Sequence, residues 1–399
     1  MVGRGAWGDP FTFVRRGRST RSFRGRPLKV LLWNESLTGG GCERNLVELA
    51  CHFDRREVEP VVGIYAPDLH YVPQLEQHGV LWFLEEKRGK VDVDFYHRLI
   101  ARLRQERPDI IHAFMPTPGF WAKVSRIFAG FPPLVMFHGT IGPTRAHILT
   151  ERFLHRSVAA VIANSSLARE QMITQVGFAP ERVHLIYNGV DLDTFRPLPP
   201  PLTLRRSLGV PEEVFLLSVV ARVRGEKNHA CLVRALLRLH HAGELPSDFW
   251  AIFVGRRADE DLIQHLEGDL RAAGLGDRMR FVGARTDVPE VLSSSDVMVL
   301  PSFFEGCPNA VQEAMACGIP VVASAVSDNA KLIHEGDNGY LFPVDDDAAL
   351  ADRLMKVYRA GRQGRARMGE EGRRIITDGY TMESYTRATL AVYQRALEG

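Results

Sequence analysis

Short apolar runs alternate with stretches of helical period along nearly the whole of this 399-residue chain, and a proline cluster interrupts the alternation. The runs at 28–33, 58–65, 110–114, 134–138, 158–163 and 183–187 are rich in branched and aromatic residues and read as strands. Between them, segments such as 43–53, 95–106 and 167–176 repeat their apolar residues at helical spacing. Nearly continuous apolar strands separated by helices imply a parallel sheet covered on both faces. The series stops at Arg196-Pro197-Leu198-Pro199-Pro200-Pro201, where four prolines in five residues continue neither helix nor strand. A second series follows, with strands at 214–221, 249–254, 279–282, 297–300 and 320–323 and a helix at 229–241. Helical stretches at 348–362 and 385–397 end the chain. The expectation is two doubly wound α/β lobes joined by a hinge, with a cleft between them lined by the loops that follow the strands. The divisions are an arm at 1–27, a first lobe at 28–195, the hinge at 196–201, a second lobe at 202–376 and a last helix at 377–399 returning to the first lobe.

Charge and composition narrow the function. Fifty Lys and Arg face 48 Asp and Glu, so a net charge of +2 gives the whole chain no electrostatic case for nucleic acid or membrane. The five cysteines, Cys42, Cys51, Cys231, Cys307 and Cys317, lack zinc spacing and read as reduced thiols of a cytoplasmic protein. No apolar run approaches the ~20 residues of a membrane span. Residues 1–27 are different: seven arginines (Arg4, Arg15, Arg16, Arg18, Arg21, Arg24 and Arg26) oppose the single acid Asp9. That arm cannot build a core. It reads as a solvated tail, as residues ahead of the true start, or as a tether to anionic lipid.

The loops carry the chemistry. After the first strand comes Thr38-Gly39-Gly40-Gly41-Cys42-Glu43-Arg44. A G-x-G-x-x-G register from Gly39 would need glycine at Arg44, and the second strand ends without a ribose-binding acid, so a nicotinamide fingerprint fails. No G-x-x-x-x-G-K-[ST] loop is present either. The glycines make a tight turn or let a ligand's phosphates approach the backbone and the next helix's N–H groups. In the second half, Arg222-Val223-Arg224-Gly225-Glu226-Lys227 runs from a strand end into a helix. Its two cations are a surface pair or a seat for a diphosphate. The segment Pro301-Ser302-Phe303-Phe304-Glu305-Gly306-Cys307-Pro308-Asn309 leads from a buried strand into a helix that Asn309 would cap, placing Glu305 in the loop and Glu313 on the helix. Two carboxylates so placed can address different hydroxyls of one ligand.

With these segments in order, the sequence resembles the retaining glycosyltransferases of family 4, whose GT-B fold is two doubly wound Rossmann-like lobes with an interdomain cleft. The landmarks are Gly40-Gly41-Cys42-Glu43, Asn188-Gly189-Val190-Asp191 with Phe195, Arg222 with Lys227, and above all Pro301-Ser302 through Glu305-Gly306-x-Pro308-Asn309-x-x-x-Glu313-Ala314. Gly318-x-Pro320-Val321-Val322-Ala323 and Asn338-Gly339 extend it, so that it spans residues 28–397. The resemblance implies that Arg222 and Lys227 hold the donor pyrophosphate and that Glu313 binds the ribose. It implies further that Glu305 touches the transferred sugar, whose slot is lined by the backbone of Gly306, Cys307, Pro308, Asn309 and Ala310. Gly40 and Gly41 would approach the donor phosphates, His138 would face the sugar or serve as a structural loop residue, and Arg285 would pack on the nucleobase. Ala221 stands where the family has glycine. The first lobe would bind the acceptor and the second the nucleotide sugar.

The expected reaction moves a sugar from a UDP- or GDP-sugar to a glycan or lipid-linked acceptor with retention, in polysaccharide or glycoconjugate biosynthesis. Asp-x-Asp pairs at Asp92/Asp94, Asp191/Asp193 and Asp345/Asp347 sit in unrelated contexts, the last as a helix cap with first-turn acids, so no metal and no other cofactor is expected. An epimerase of the same fold and an inactive sugar-nucleotide-binding protein are the competing readings; a dehydrogenase is the weakest. The expected place is the cytoplasm, including the inner face of its membrane, with no nucleic-acid partner. The segment from Phe120 and Trp121 to Ile127 and Phe128 mixes aromatic and basic residues and reads as a helix packed on the sheet or as a membrane-facing surface.

Overall fold

The computed structural model describes residues 25–38, 40–89, 92–139, 145–199 and 202–398. Most of the expected basic arm, Gly39 of the glycine loop, and Pro200 and Pro201 of the expected hinge lie outside the described residues. Two parallel sheets organise the rest. The first has seven strands: β1 (Leu28–Trp33), β2 (Val58–Ile64), β3 (Leu81–Leu84), β4 (Ile110–Phe114), β5 (Leu134–His138), β6 (Ala160–Ala163) and β7 (Val183–Leu185), in the order β3-β2-β1-β4-β5-β6-β7. The second has six: β8 (Phe215–Val220), β9 (Phe249–Val254), β10 (Met279–Gly283), β11 (Val297–Leu300), β12 (Val321–Ser324) and β13 (Gly339–Phe342), in the order β10-β9-β8-β11-β12-β13. All pairings between these strands are parallel.

Strand side chains alternate between two cores because successive Cβ atoms point to opposite faces. Val30 and Leu32 enter one hydrophobic cluster and Leu31 and Trp33 another, on the two faces of the first sheet. In the second sheet Val297 and Val299 part from Met298 and Leu300 in the same way. Each sheet reverses its order beside its first strand, between β1 and β4 and between β8 and β11. Chains leaving opposite sides of such a point separate and leave a crevice at the carboxyl ends of the strands.

The last helix, Met382–Glu398, packs on the first lobe: Tyr385, Val392 and Tyr393 join the core around Val30 and Leu32. The Tyr393 hydroxyl meets His112 Nδ1 at 2.7 Å, and Asn45 Nδ2 donates to Tyr385 at 2.9 Å. Across the junction the Ser166 amide and the Tyr187 hydroxyl donate to Asp328 at 2.7 and 3.0 Å, and Asn188 Nδ2 donates to Asn309 Oδ1 at 2.9 Å.

Three elements were not expected. β3 and β13 are four-residue edge strands, paired on one side only; Leu81 at the head of β3 is exposed. The helix Gly361–Gly379 was hidden by its glycines, poor helix formers. Packing explains them: a Cβ on Gly369 would overlap the Gly318 carbonyl, and one on Gly372 would meet Met315 Cγ at 3.4 Å.

Candidate functional site

Both switch points open onto one cleft of about 450 Å³. From the first lobe it is lined by Gly41, Cys42, Arg44 and Asn45 after β1, Met115 after β4, Phe137 and Gly139 at β5, and Asn164 and Asn188. The second lobe contributes Arg222 and Lys227 after β8, and Glu305, Gly306, Cys307, Pro308, Asn309, Ala310 and Glu313 after β11. The lobes come close here, since a Cβ on Gly306 would stand 2.9 Å from the Gly139 carbonyl oxygen.

The loop after β8 is held by its surroundings. Gly255 lies so near the Ala221 carbonyl that any side chain would overlap it. Asn228, at φ 49°, closes the turn Gly225–Lys227 and caps the helix His229–His241 by accepting from the Cys231 amide at 3.3 Å. The loop after β11 is tied to it by Phe303 N donating to the Glu226 carbonyl at 3.0 Å. Lys227 Nζ meets both oxygens of Glu305, at 2.7 and 2.9 Å, and Ser302 Oγ donates to Glu305 Oε1 at 2.5 Å. Glu305 is only 7% exposed, so Lys227 compensates a charge that would otherwise be stranded. Arg222 is exposed to the cleft and has no ion-pair partner among the described residues. The site therefore holds one uncommitted guanidinium beside a neutralised Lys–Glu pair, a different charge state from two free cations. An ammonium has three donors, so Lys227 can keep Glu305 and still reach an anion.

The helix Asn309–Ala316 starts beside this pair, and its first two residues line the cleft; the Asn309 amide already donates to the Cys307 carbonyl at 2.9 Å and the Val311 amide to the Pro308 carbonyl at 3.0 Å. Its cap is Pro308 rather than Asn309, which is the first helical residue and accepts instead from Asn188. Glu313 is buried, and Arg44 of the first lobe reaches it at 2.9 Å. Burial pushes the Glu313 carboxyl up while Arg44 pulls it down. The Cys307 thiol is pushed up to about 12 by burial, so it is no nucleophile near neutrality, and its sulfur faces Gln312 Oε1 at 3.5 Å.

Three candidates sit differently from expectation. His138 does not face the cleft: its neighbours Phe137 and Gly139 do, while its own ring lines a separate small cavity with Met136, Ile148, Glu151 and Met172. Burial lowers its pKa to about 4, and its Nε2 has no partner among the described residues. Arg285 makes a two-pronged pair with Asp287 at 2.7 and 2.6 Å and does not line the cleft. Gly40 is the N-cap of the helix Gly41–His52, with the Glu43 carboxylate folded back over its α-carbon. The Asp-x-Asp pairs have local roles: Asp92 caps a helix, Asp191 accepts from Thr194 at 2.5 Å, and Asp345 pairs with Arg234. Asp347 accepts from Arg238 at 2.8 Å, while the cap of the helix Asp347–Arg359 is the intervening Asp346. Sequence reasoning missed Arg44 as a cleft residue. The available signal was a cation beside a glycine turn, where a fingerprint glycine was being sought.

Residues 39–194 match the family described as Glycosyltransferase Family 4, and residues 202–375 the family described as Glycosyl transferases group 1. The chain is 27% identical over 268 residues to the UDP-Gal:alpha-D-GlcNAc-diphosphoundecaprenol alpha-1,3-galactosyltransferase of Escherichia coli, covering 65% of this chain and 68% of that one. It is 33% identical over 265 residues to D-inositol 3-phosphate glycosyltransferase 1 of Catenulispora acidiphila, covering 64% of this chain and 61% of that one. The structure of Anabaena Alr3699/HepE in complex with UDP-glucose superposes with a TM-score of 0.77 at 25% identity, over 91% of this chain and 98% of that one.

Proposed function

The chain belongs to the family 4 glycosyltransferases of GT-B fold, and from that premise we propose that it moves a sugar from a nucleoside-diphosphate sugar to a glycan or lipid-linked acceptor, with retention of anomeric configuration. One observation carries the reading: Arg222, Lys227, Glu305 and Glu313 converge on a single cleft at both topological switch points. Arg222, Lys227 and the start of the helix Asn309–Ala316 form the seat for the diphosphate. Glu313 takes the ribose hydroxyls and Glu305 a hydroxyl of the transferred sugar. As the bond from the anomeric carbon to the leaving oxygen lengthens, positive charge grows on the sugar and negative charge on the diphosphate. Arg222 and Lys227 meet the second charge from fixed positions, where such preorganised groups have most effect. Lys227 links the two ends, because the ammonium that receives the phosphate also holds the carboxylate under the sugar. The acceptor hydroxyl attacks the same face that the diphosphate leaves, and its proton passes to the departing phosphate. These cations supply the compensating charge, so the reading assigns no metal or other cofactor to the step.

The Anabaena protein is in complex with UDP-glucose, which favours a UDP-sugar, with a GDP-sugar second. For the acceptor, the E. coli relative's name specifies a diphosphoundecaprenol-linked sugar. An open groove lined by Lys87, Pro116, Thr117, Phe120, Trp121 and Glu151, with Leu149 and Phe153 exposed nearby, suits an amphiphilic molecule. No helix among the described residues is long and apolar enough to cross a membrane. The proposed place is the cytoplasm, with peripheral contact at the membrane face.

The test is incubation with a panel of UDP- and GDP-sugars and polyprenyl-diphosphate or oligosaccharide acceptors. Nucleoside diphosphate release with a mass increase of one sugar on the acceptor is the expected result, and an NMR coupling constant gives the anomeric outcome. A donor returned as its epimer, or bound without turnover, would replace transfer with an epimerase or a binding protein.

A further inference from the structure

Glu313 and Arg44 come from different lobes, and their pairing gives the first lobe a part in reading a ligand held by the second. We infer that Arg44 is a positioning residue for the donor: it fixes the Glu313 carboxylate across the lobe junction, so that the ribose is fully read only when the lobes are docked. The inference rests on the reading that Glu313 takes the ribose.

The geometry is particular to this junction. Arg44 lies on the first turn of the helix Gly41–His52, which leaves the first switch point. Its guanidinium reaches Glu313 Oε1 at 2.9 Å and stands 5.4 Å over the ring of Phe195, the residue just before the proline cluster. Three parts of the chain thus meet at one cation: the first lobe, the second lobe and the start of the connection between them. Both Arg44 and Glu313 also line the cleft, so the pair is part of the ligand's surroundings and not only a brace behind them. Asn188, in the loop after β7, and Asn309 join beside it at 2.9 Å, which ties that first-lobe loop to the start of the helix Asn309–Ala316.

The physical role follows from what surrounds the carboxylate. Glu313 is buried, and Glu48 on the helix of Arg44 adds negative charge that pushes its carboxyl up further. Tyr71, Cys307 and Cys317 are also within its electrostatic reach, and Asp191 lines the same junction, so Arg44 is the nearest source of positive charge. A carboxylate accepts hydrogen bonds from two hydroxyls through charged oxygens; a protonated carboxyl gives up part of that capacity and the charge assistance. Removing Arg44 leaves a buried acid that lowers its own cost by taking up a proton. The ribose contact then weakens although Glu313 is still present.

The test compares binding of UDP with dUDP, and of GDP with dGDP, which differ only at the 2′-hydroxyl. Equilibrium dissociation constants are measured for wild type, Arg44→Gln, Arg44→Lys and Glu313→Gln between pH 6 and 9, with melting temperatures to establish folding. Wild type should prefer the ribose form. Arg44→Gln should lose about tenfold of that preference at pH 7 and regain it as pH rises and Glu313 ionises. Arg44→Lys should keep most of it, and Glu313→Gln should lose it at every pH. Adding Arg44→Gln to Glu313→Gln should cost no further preference. A folded Arg44→Gln protein with the wild-type preference and wild-type pH dependence would overturn the inference. A wild-type protein indifferent to the 2′-hydroxyl would instead remove the ribose role of Glu313 on which the inference stands.

Discussion

At the second lobe's switch point, the loops after β8 and β11 bring Arg222, Lys227 and Glu305 to the cleft, each on a tied loop. At the first lobe's, the loops after β1 and β4 bring Gly41 and Met115, and Phe137 and Gly139 at β5 with the uncharged Asn45, Asn164 and Asn188 complete a wall. Arg44 is the first-lobe cation lining that wall, and it is turned toward Glu313 of the other lobe. Two sheets with the same winding therefore divide the work: one presents charge, the other presents surface. The lesson is that the fold supplies the place and the loops supply the chemistry.

The largest expected effect lies on the charged side. Arg222→Ala or Lys227→Ala should lower turnover by about 10² to 10³, the scale for removing a preorganised stabiliser of developing charge. Lys227→Ala should be the worse of the two, because it also strands the buried Glu305. Wild-type turnover at saturating donor in either variant would break the division. On the surface side the sharpest probe is Gly306→Ala, whose new Cβ would stand 2.9 Å from the Gly139 carbonyl oxygen and push the lobes apart. A displacement of a few tenths of an ångström to an ångström at reacting groups predicts a loss of about tenfold to a hundredfold in kcat/KM with melting temperature preserved. An unchanged kcat/KM would mean that the close approach is not needed for reaction.

Acid should separate the lobes by stability. Burial lowers His112 to about 3 and His138 to about 4 in the first lobe, and His229 to about 4 in the second, from an ordinary 6.5. The unfolded chain takes up protons first as pH falls through 6.5, so the stabilisation is whole above that value and declines toward the native values. Each histidine costs at most about 1.4 kcal/mol per pH unit over that window. With these two, and His184 of β7 also lowered by burial, against one, protection factors corrected for the intrinsic exchange rate should fall between pH 7 and pH 5 in β4 and β5 before β8 and β9. The reverse order would contradict the assignment. The smallest effect is on the second lobe's outer rim. Asp346 caps the helix Asp347–Arg359 by accepting from the Ala349 amide at 2.8 Å, and Asp346→Ala should cost about 1 kcal/mol. A thermal melt reads that loss, while the transfer rate at 25 °C should not change.

The same contrast governs what could be read in advance. The central strands were legible because a parallel sheet buries both faces and leaves unbroken apolar runs. β3 and β13 escaped although their residues are largely apolar, and edge position alone does not account for it, since the edge strands β7 and β10 were read. Gly361–Gly379 escaped because glycines that allow a helix to pack against Gly318 look like glycines that forbid a helix. In the site, loop chemistry beside a strand end was visible residue by residue, which brought Lys227, Glu305 and Glu313 forward. Pairing was not visible: Lys227 and Glu305 are 78 residues apart, and nothing local in the sequence couples Arg44 to Glu313. Between the two readings of His138 the sequence could not choose, because a strand end admits either face, and here Phe137 and Gly139 line the cleft while His138 lines the cavity beside it.

The central claim is that the charge on the leaving diphosphate is met by side chains of the second lobe. Its most direct test is the transfer rate after exhaustive chelation with EDTA, measured with and without added Mg²⁺ or Mn²⁺, for the wild-type protein and for Arg222→Ala. Wild type should turn over at the same rate in all three conditions, and Arg222→Ala should remain slow in each. A wild-type rate that vanishes with chelator and returns with metal would contradict the account.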